Sequence, residues 1–452
     1  MKKILSLSLL LIAGSLSFTS CQSEEDDLFD SSAAERLAAS KVTYTKLLPQ
    51  ATAGWVMEYY PTNGGSWPRG NGYLLLAKFN DDKSVDMASQ NEEMTDGKYM
   101  EDTSLWEVIA DQGPVLSFNT YNQCLHSFAD PALYETGLGL EGDYEFEIIN
   151  LQEGAQFAML KGKKRGTYTR MTRLEEGTDF KEYLTSVTDF RKKVFDTTAP
   201  NNLLITLGDK KYIINNVADG FLSFYPEGGD AISETESHPY LITRRNDNYH
   251  LRFRDAFELE ELEKSVQELT YDTIQNKFIG IDEETFVIEG YPVPLFVKES
   301  LDKGNKFQMT TASAKSEKFA TLFENMRTGL STTMKYTLNS IQVLNTTADS
   351  TQQATLGLRF AYRVRRGTQT VTQNFTINYD VTYTADGFTL SNMNPGETGA
   401  TVIEKVPELT AFANALATEF RTEHNGTPFN LSTVKIVAAS DPETWFVLSY
   451  TN

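Results

Sequence analysis

Two stretches decide how this chain is read: Leu356-Gly357-Leu358-Arg359-Phe360-Ala361-Tyr362-Arg363-Val364 and Phe375-Thr376-Ile377-Asn378-Tyr379-Asp380-Val381-Thr382-Tyr383. In each, a large apolar residue falls at every second position. A period of two puts those side chains on one face of a strand, so each strand buries one face. Arg365-Arg366-Gly367 turns the first strand, and Asp386-Gly387 turns the second. Two amphipathic helices flank this pair. One carries Phe319, Leu322, Phe323 and Met326 and ends at Gly329. The other begins at Pro407 and carries Leu409, Phe412, Ala413, Leu416 and Phe420. A final strand runs from Trp445 to Tyr450. Residues 311–452 therefore read as an α+β block, an antiparallel sheet with packed helices.

Working back toward the N-terminus, residues 176–310 read as a helix followed by a second β-rich domain. The helix carries Phe180, Tyr183, Leu184, Val187, Phe190 and Val194 at three- and four-residue spacing, with Pro200 as its stop. Short β-rich runs follow, and Phe257 to Leu269 is ambiguous between helix and strand. Residues 32–175 open with a capping box, Ser32-Ala33-Ala34-Glu35, on a helix reaching the mid-forties. About eight short strands between Gly54 and Leu174 then predict an antiparallel barrel of lipocalin type, or a sandwich. The fold class is thus mainly β with an α+β C-terminal part.

The chain begins MKKILSLSLLLIAGSLSFTS, followed by Cys21. Lys2 and Lys3 form a positive n-region, and the apolar core after them is too short to span a bilayer as a permanent helix. It fits a cleavable signal over residues 1–20. Thr19 and Ser20 before Cys21 resemble a bacterial lipobox, with Phe18 where an aliphatic residue is usual. Cys21 is the expected lipid anchor. Residues 21–31 form an acidic tether, and Ser23-Glu24-Glu25-Asp26-Asp27 resembles the export tag of surface lipoproteins. The address that follows is the outer membrane, on its cell-surface side.

The chain has 452 residues, 62 acidic against 41 basic, and a formal charge of −21. Removing residues 1–20 takes away two lysines and leaves −23. So acidic a body lacks the basic footprint that nucleic acid requires. With Cys21 acylated, Cys124 is the one remaining thiol and no internal disulfide can form.

The search for chemistry returns no catalytic residue, no metal site and no cofactor motif. Cys124 and His126 in Gln123-Cys124-Leu125-His126 would share a face on a strand, as a nucleophile pair or merely a half-buried hairpin. Gly137-Leu138-Gly139-Leu140-Glu141-Gly142 matches a dinucleotide string, but a strand follows it where a helix is needed, so it reads as a loop. Glu258, Glu260, Glu261 and Glu263 read as a solvated face. Lys161, Lys163, Lys164 and Arg165, extended by Arg170 and Arg173, could grip an anion, although such hairpin tips are more often solvated. The binding candidates are Trp67 and Arg69 on the loop Asn63 to Gly70, where a tryptophan is awkward to bury, together with Tyr121 and His126.

Several motifs then stand in series: Gly54-Trp55; Gly113-Pro114-Val115-Leu116-Ser117-Phe118-Asn119-Thr120-Tyr121-Asn122; His126-Ser127-Phe128-Ala129-Asp130-Pro131; Gly142-Asp143-Tyr144-Glu145-Phe146; and Leu160-Lys161-Gly162-Lys163-Lys164-Arg165-Gly166. The series resembles the Bacteroidetes lipoproteins grouped as domain of unknown function family 4302. The resemblance implies no reaction. It implies proximity to SusC/SusD-like outer-membrane uptake systems. The expectation is a lipid-anchored, surface-exposed accessory binding or assembly module for nutrient uptake, not an enzyme, with a glycan or small ligand as cargo. A barrel carrier of a small apolar ligand and a hydrolase on surface glycan or peptide are the alternatives.

Overall fold

The computed structural model describes residues 31–451, apart from 63–69, 134–138, 196–202, 219, 231, 235, 260–263, 348–353 and 427–428. The expected Cys21 anchor, the Trp67 and Arg69 loop, and Pro200 lie outside the described residues, as do Gly137 and Leu138 and most of the Glu258–Glu263 run.

Three closed antiparallel barrels of eight strands follow one another along the chain. The first uses β1 (Trp55–Tyr59), β2 (Tyr73–Phe79), β3 (Ser84–Ser89), β4 (Met100–Ala110), β5 (Pro114–Phe118), β6 (Glu145–Asn150), β7 (Phe157–Gly162) and β8 (Tyr168–Arg173). The second uses β9 (Leu203–Leu207), β10 (Lys210–Ala218), β11 (Phe221–Pro226), β12 (Glu236–Arg245), β13 (Asn248–Leu259), β14 (Lys264–Asp272), β15 (Lys277–Gly280) and β16 (Phe286–Gly290). The third uses β17 (Lys306–Thr310), β18 (Thr337–Thr347), β19 (Ala354–Arg366), β20 (Gln369–Tyr383), β21 (Gly387–Asn394), β22 (Glu419–His424), β23 (Thr433–Ala438) and β24 (Trp445–Thr451). Each is a meander whose last strand pairs with its first: Glu58 faces Arg170, Ile205 faces Ile288, and Phe307 faces Tyr450. Closure removes the unpaired edges that an open sheet would offer to other chains.

The mainly β class holds throughout. Within the stretch that is ambiguous in sequence, Phe257–Leu259 and Lys264–Leu269 lie on the paired strands β13 and β14. In the C-terminal block the helices pack on antiparallel strands as expected, and the sheet they pack on closes.

The helices occupy the junctions and ends. Helix α1 (Ala33–Leu47) starts with the expected capping box, in which the Ser32 amide donates to Glu35 Oε2 at 2.9 Å and the Glu35 amide donates to Ser32 Oγ at 3.3 Å. Short helices α2 (Glu92–Thr95) and α3 (Gln123–His126) interrupt the first barrel's loops. Helix α4 (Phe180–Val194) precedes the second barrel and α5 (Val293–Asp302) the third. Helices α6 (Glu317–Gly329), α7 (Gly396–Lys405) and α8 (Pro407–Leu416) are inserted in the third. None of the described helices is long and apolar enough to cross a membrane.

The first barrel's interior is filled. Trp55, Tyr59, Phe79, Trp106, Phe118, Phe128 and Phe146 are buried there, with edge-to-face contacts of 5.3 Å for Tyr59–Phe128 and 5.0 Å for Phe79–Trp106. Burying such side chains contributes about 1.5–3 kcal/mol each. Two of the polar ends are satisfied: the Trp55 indole donates to the Leu48 carbonyl at 3.0 Å, and the Tyr59 hydroxyl donates to the Asp143 carbonyl at 3.0 Å, while the Trp106 indole nitrogen is enclosed without an acceptor.

Strand β1 departs from simple alternation, because all five of its residues are buried. Trp55, Met57 and Tyr59 point into the first barrel, while Val56 joins a different cluster built from α4 and the second barrel's core. Leu76 of β2 and Ala88 of β3 do the same. The first barrel's outer wall is therefore the second barrel's packing surface, with α4 between them.

Candidate functional site

The junction between the first two barrels holds a network of buried and half-buried charges. Glu58 is fully buried on the outward face of β1. Arg170 on the neighbouring strand β8 donates from Nε to Glu58 Oε1 at 2.8 Å, and Arg252 on β13 donates to Oε2 at 2.8 Å. Arg170 also grips Glu268 of β14, at 2.7 and 3.1 Å. Arg245 of β12 reaches the same carboxylate at 3.0 Å, and His250 of β13 lies 4.0 Å from it. The Phe157 ring sits under both guanidiniums, 4.9 Å from Arg170 and 5.3 Å from Arg245. Burial alone would raise the Glu268 carboxyl, but the hydrogen bond and charge of Arg170, with Arg245 and His250, outweigh it and hold it at about 2. Burial, and then the charge of Arg245, push His250 below the ordinary imidazole range. Such a network fixes how two barrels meet, since an unpaired buried charge is far costlier than a paired one.

A cleft enclosing about 50 Å³ opens at the same junction. Its floor is apolar: Leu184 and Val187 of α4, with Leu241 and Ile242 of β12. Its rim is polar: Gln90 and Asn91 from the β3–α2 connection, Glu93 of α2, and Thr188 and Arg191 from α4. Asn91 is fixed by its capping role, accepting from the Met94 amide at 2.8 Å. Gln90 donates to the Gly97 carbonyl at 3.0 Å, and its Oε1 is enclosed without a partner. Burial raises the Glu93 carboxyl above its usual range, against the pull of its own backbone amide and of Arg191. Two glycines permit the close approach of the walls. A Cβ on Gly72 would stand 2.6 Å from the Tyr60 ring and 2.7 Å from Leu241, and Gly220, at φ +80°, abuts Asn71. Domain junctions are where small-molecule sites are commonly found. This one has room for only a few heavy atoms, and its polar side chains suit hydroxyl or amide groups.

Of the residues singled out from sequence, Tyr121 and His126 come together. The His126 ring lies 5.4 Å from Tyr121 and 4.8 Å from Tyr144, and both tyrosines are exposed. Nδ1 of His126 accepts from the Asn122 amide at 3.0 Å. This stack stands on the first barrel's surface and is not part of the cleft lining. Cys124 does not join it. The sequence pattern suggested a strand with both side chains on one face; instead Asn122 caps the short helix α3 by accepting from the Cys124 amide at 3.0 Å. Two residues along a helix point to nearly opposite sides. Cys124 turns inward, its Sγ 3.4 Å from the Met87 carbonyl, and burial pushes the thiol up to about 12. A nucleophile pair is ruled out for these two side chains.

The basic island is exposed at Lys163 and Lys164, and two of its four members are paired with carboxylates. Lys163 pairs with Asp111 at 2.8 Å and Glu145 at 3.1 Å, and Arg165 pairs with Glu141 at 2.7 Å. The amides of Lys164 and Arg165 donate to the Asp143 carboxylate at 3.0 and 2.8 Å. Arg170 belongs to the buried network, and Arg173 lies 5.1 Å from the Trp55 ring. Among the described residues no group of three or more His, Cys, Asp and Glu side chains is placed to hold a metal.

The family described as "Domain of unknown function (DUF4302)" matches residues 25–273. The chain belongs to this family. The match covers the first barrel, the junction with its network and cleft, and the second barrel as far as Asp272 and the residue after it; the third barrel lies beyond it. No curated protein matches the chain. A solved structure, the beta subunit from DNA polymerase of Streptococcus pyogenes, aligns at 10% identity over 91% of this chain and 98% of that chain, with a TM-score of 0.14. A superposition that weak supports no inference about fold or function.

Proposed function

We propose that the protein is an exported lipoprotein, anchored through Cys21, whose barrels form a binding or assembly module for an outer-membrane nutrient-uptake system. The observation that carries the binding role is the cleft between the first two barrels, with Glu93, Arg191 and Thr188 set around an apolar floor. The signal-like leader and the acidic run after Cys21 support the address. The resemblance to Bacteroidetes lipoproteins supports a SusC/SusD-like partner. The acidic composition supports a cargo other than nucleic acid.

A pull-down from intact cells through the native lipid anchor tests this reading, with Cys21→Ala as the control. Recovery of an outer-membrane transporter with the native protein, and its loss with the Cys21→Ala variant, is expected. Recovery of no envelope protein would overturn the assembly role.

A second reading is a carrier of a small apolar ligand, and one observation favours it. It is not in the first barrel, whose interior is filled, but in the third. There a cavity of about 30 Å³ is walled entirely by apolar side chains, among them Leu356, Leu358, Phe412 and Leu416. Apolar cavities of this kind stay dry. A solvatochromic probe that binds the protein and is displaced by Leu358→Phe would support the carrier.

A further inference from the structure

The third barrel carries a charge anomaly. In a protein with 62 acidic residues, β18 and β19 contain none, and β20 contains only Asp380. Strand β19 holds four arginines: Arg359, Arg363, Arg365 and Arg366. Among the described residues none of the four is paired with a carboxylate. Leu356, Leu358, Phe360 and Tyr362 point into the barrel, so Arg359, Arg363 and Arg365 share the outer face.

The cross-strand neighbours of the three arginines are uncharged hydrogen-bonding groups, and the face's one carboxylate on these strands, Asp380, stands farther along, opposite Thr355. Arg359 lies between Gln342 of β18 and Thr376 of β20. Thr372 stands opposite Arg363, and Thr370 opposite Arg365. Arg363 donates from Nε to Asn339 Oδ1 at 3.0 Å, and its terminal nitrogens have no partner among the described residues. The Nε of Arg359 is enclosed without an acceptor. At about 3.3 Å per residue, the three arginines fall roughly 13 Å and 7 Å apart along a straight line.

We propose that the outer face of β18–β20 binds an acidic polysaccharide, a chain of hydroxylated rings bearing carboxylates. Each guanidinium offers a planar fork that matches a carboxylate with two parallel hydrogen bonds. The threonine hydroxyls and the Gln342 amide between the arginines match ring hydroxyls. The face is open, and neither cleft described above lies on it, which suits an extended chain rather than a compact molecule. None of the large exposed apolar side chains among the described residues falls on β18–β20, so the face lacks the anchors on which protein interfaces depend. Three arginines on a chain of charge −21 fall short of the footprint a nucleic acid needs. The inference stands apart from the cleft and from the proposed uptake role, since these strands lie outside the family match.

The test uses the full chain in detergent, titrated with polygalacturonate, neutral dextran and poly-glutamate. The native protein is expected to bind polygalacturonate, more weakly as salt screens the charges, and not to bind dextran. Arg363→Gln combined with Arg365→Gln removes two exposed forks and is expected to weaken binding about tenfold or more; near-ultraviolet circular dichroism checks that the barrel persists. Unchanged affinity in that variant would overturn the proposal, as would equal binding of dextran. Binding of poly-glutamate without polygalacturonate would also overturn it, reassigning the face to an acidic protein.

Discussion

Glu58 on β1 and Arg252 on β13 meet at 2.8 Å although 194 positions separate them in the chain, and the carboxylate has no exposed surface. The pair is one arm of a network in which Arg170 bridges Glu58 to Glu268. Removing one partner of such a set leaves the others buried and uncompensated. Glu58→Ala is expected to cost about 3–5 kcal/mol, read by urea denaturation. Because the pair crosses the junction, limited proteolysis of the variant should cut between residues 174 and 203 sooner than in the native protein. A variant of native stability would show that the network is dispensable.

The same network predicts acid sensitivity. His250 has a depressed pKa in the folded state, so the unfolded chain takes up its proton first. Its contribution is complete above the ordinary imidazole pKa of 6.5 and is lost as pH falls below it. His126, His238 and His424 are lowered by burial as well and act in the same direction. Glu268 has its carboxyl at about 2 against an ordinary 4.5, so its contribution persists above 4.5 and is lost as pH falls from there toward 2. Stability should therefore decline in two stages, first below 6.5 and then below 4.5. Denaturation midpoints measured from pH 7.5 to pH 3 check this. His250→Asn should flatten part of the first stage and leave the second.

Gly72 lets the two barrels close on each other, since a Cβ there would stand within 2.7 Å of both the Tyr60 ring and Leu241. Leu241 belongs to the second barrel, so a side chain at 72 pushes on the junction as well as on the first barrel. Gly72→Val is expected to cost about 1–3 kcal/mol by overpacking and to abolish any ligand binding at the cleft. Isothermal titration with a ligand recovered from the native protein reads the second effect. Thr188→Ala, on the rim, is expected to weaken that binding while leaving the free energy of unfolding within about 0.5 kcal/mol of native.

How much of this was legible in sequence follows from where each signal is local. The capping box at Ser32, the α4 face from Phe180 to Val194, and the alternation in β19 and β20 are properties of neighbouring residues, and the structure has all three. Barrel closure is not local. It depends on pairs such as Phe307 with Tyr450, which no short window contains. The site was less legible still. Glu93, Arg191 and Leu241 meet only once two barrels dock on α4. One signal was present: Glu58 interrupts Trp55 to Tyr60, an otherwise apolar strand. A carboxylate in a strand buried on both faces demands a partner, and it has two.

Cys124 offers the last test, because its sequence context and its structure point in opposite directions. A cysteine two residues from a histidine invites a reading as an activated thiolate. Activation needs exposure and a positive neighbour that lowers the pKa. Here the Sγ faces the Met87 and Met100 carbonyls, and burial, with the charges of Asp102 and Glu101, pushes the thiol up to about 12. Burial also blocks the approach of a reagent. In the native protein the thiol should fail to react with Ellman's reagent at pH 8 and should react fully once urea unfolds the chain, and the midpoint of that reactivity should coincide with the midpoint of unfolding. Cys124→Ser should leave the Tyr121–His126–Tyr144 stack in place, because Cys124 does not touch it, and should keep the Met87 carbonyl as an acceptor for the new hydroxyl. Rapid reaction of the native thiol would place Cys124 back among the candidates for chemistry.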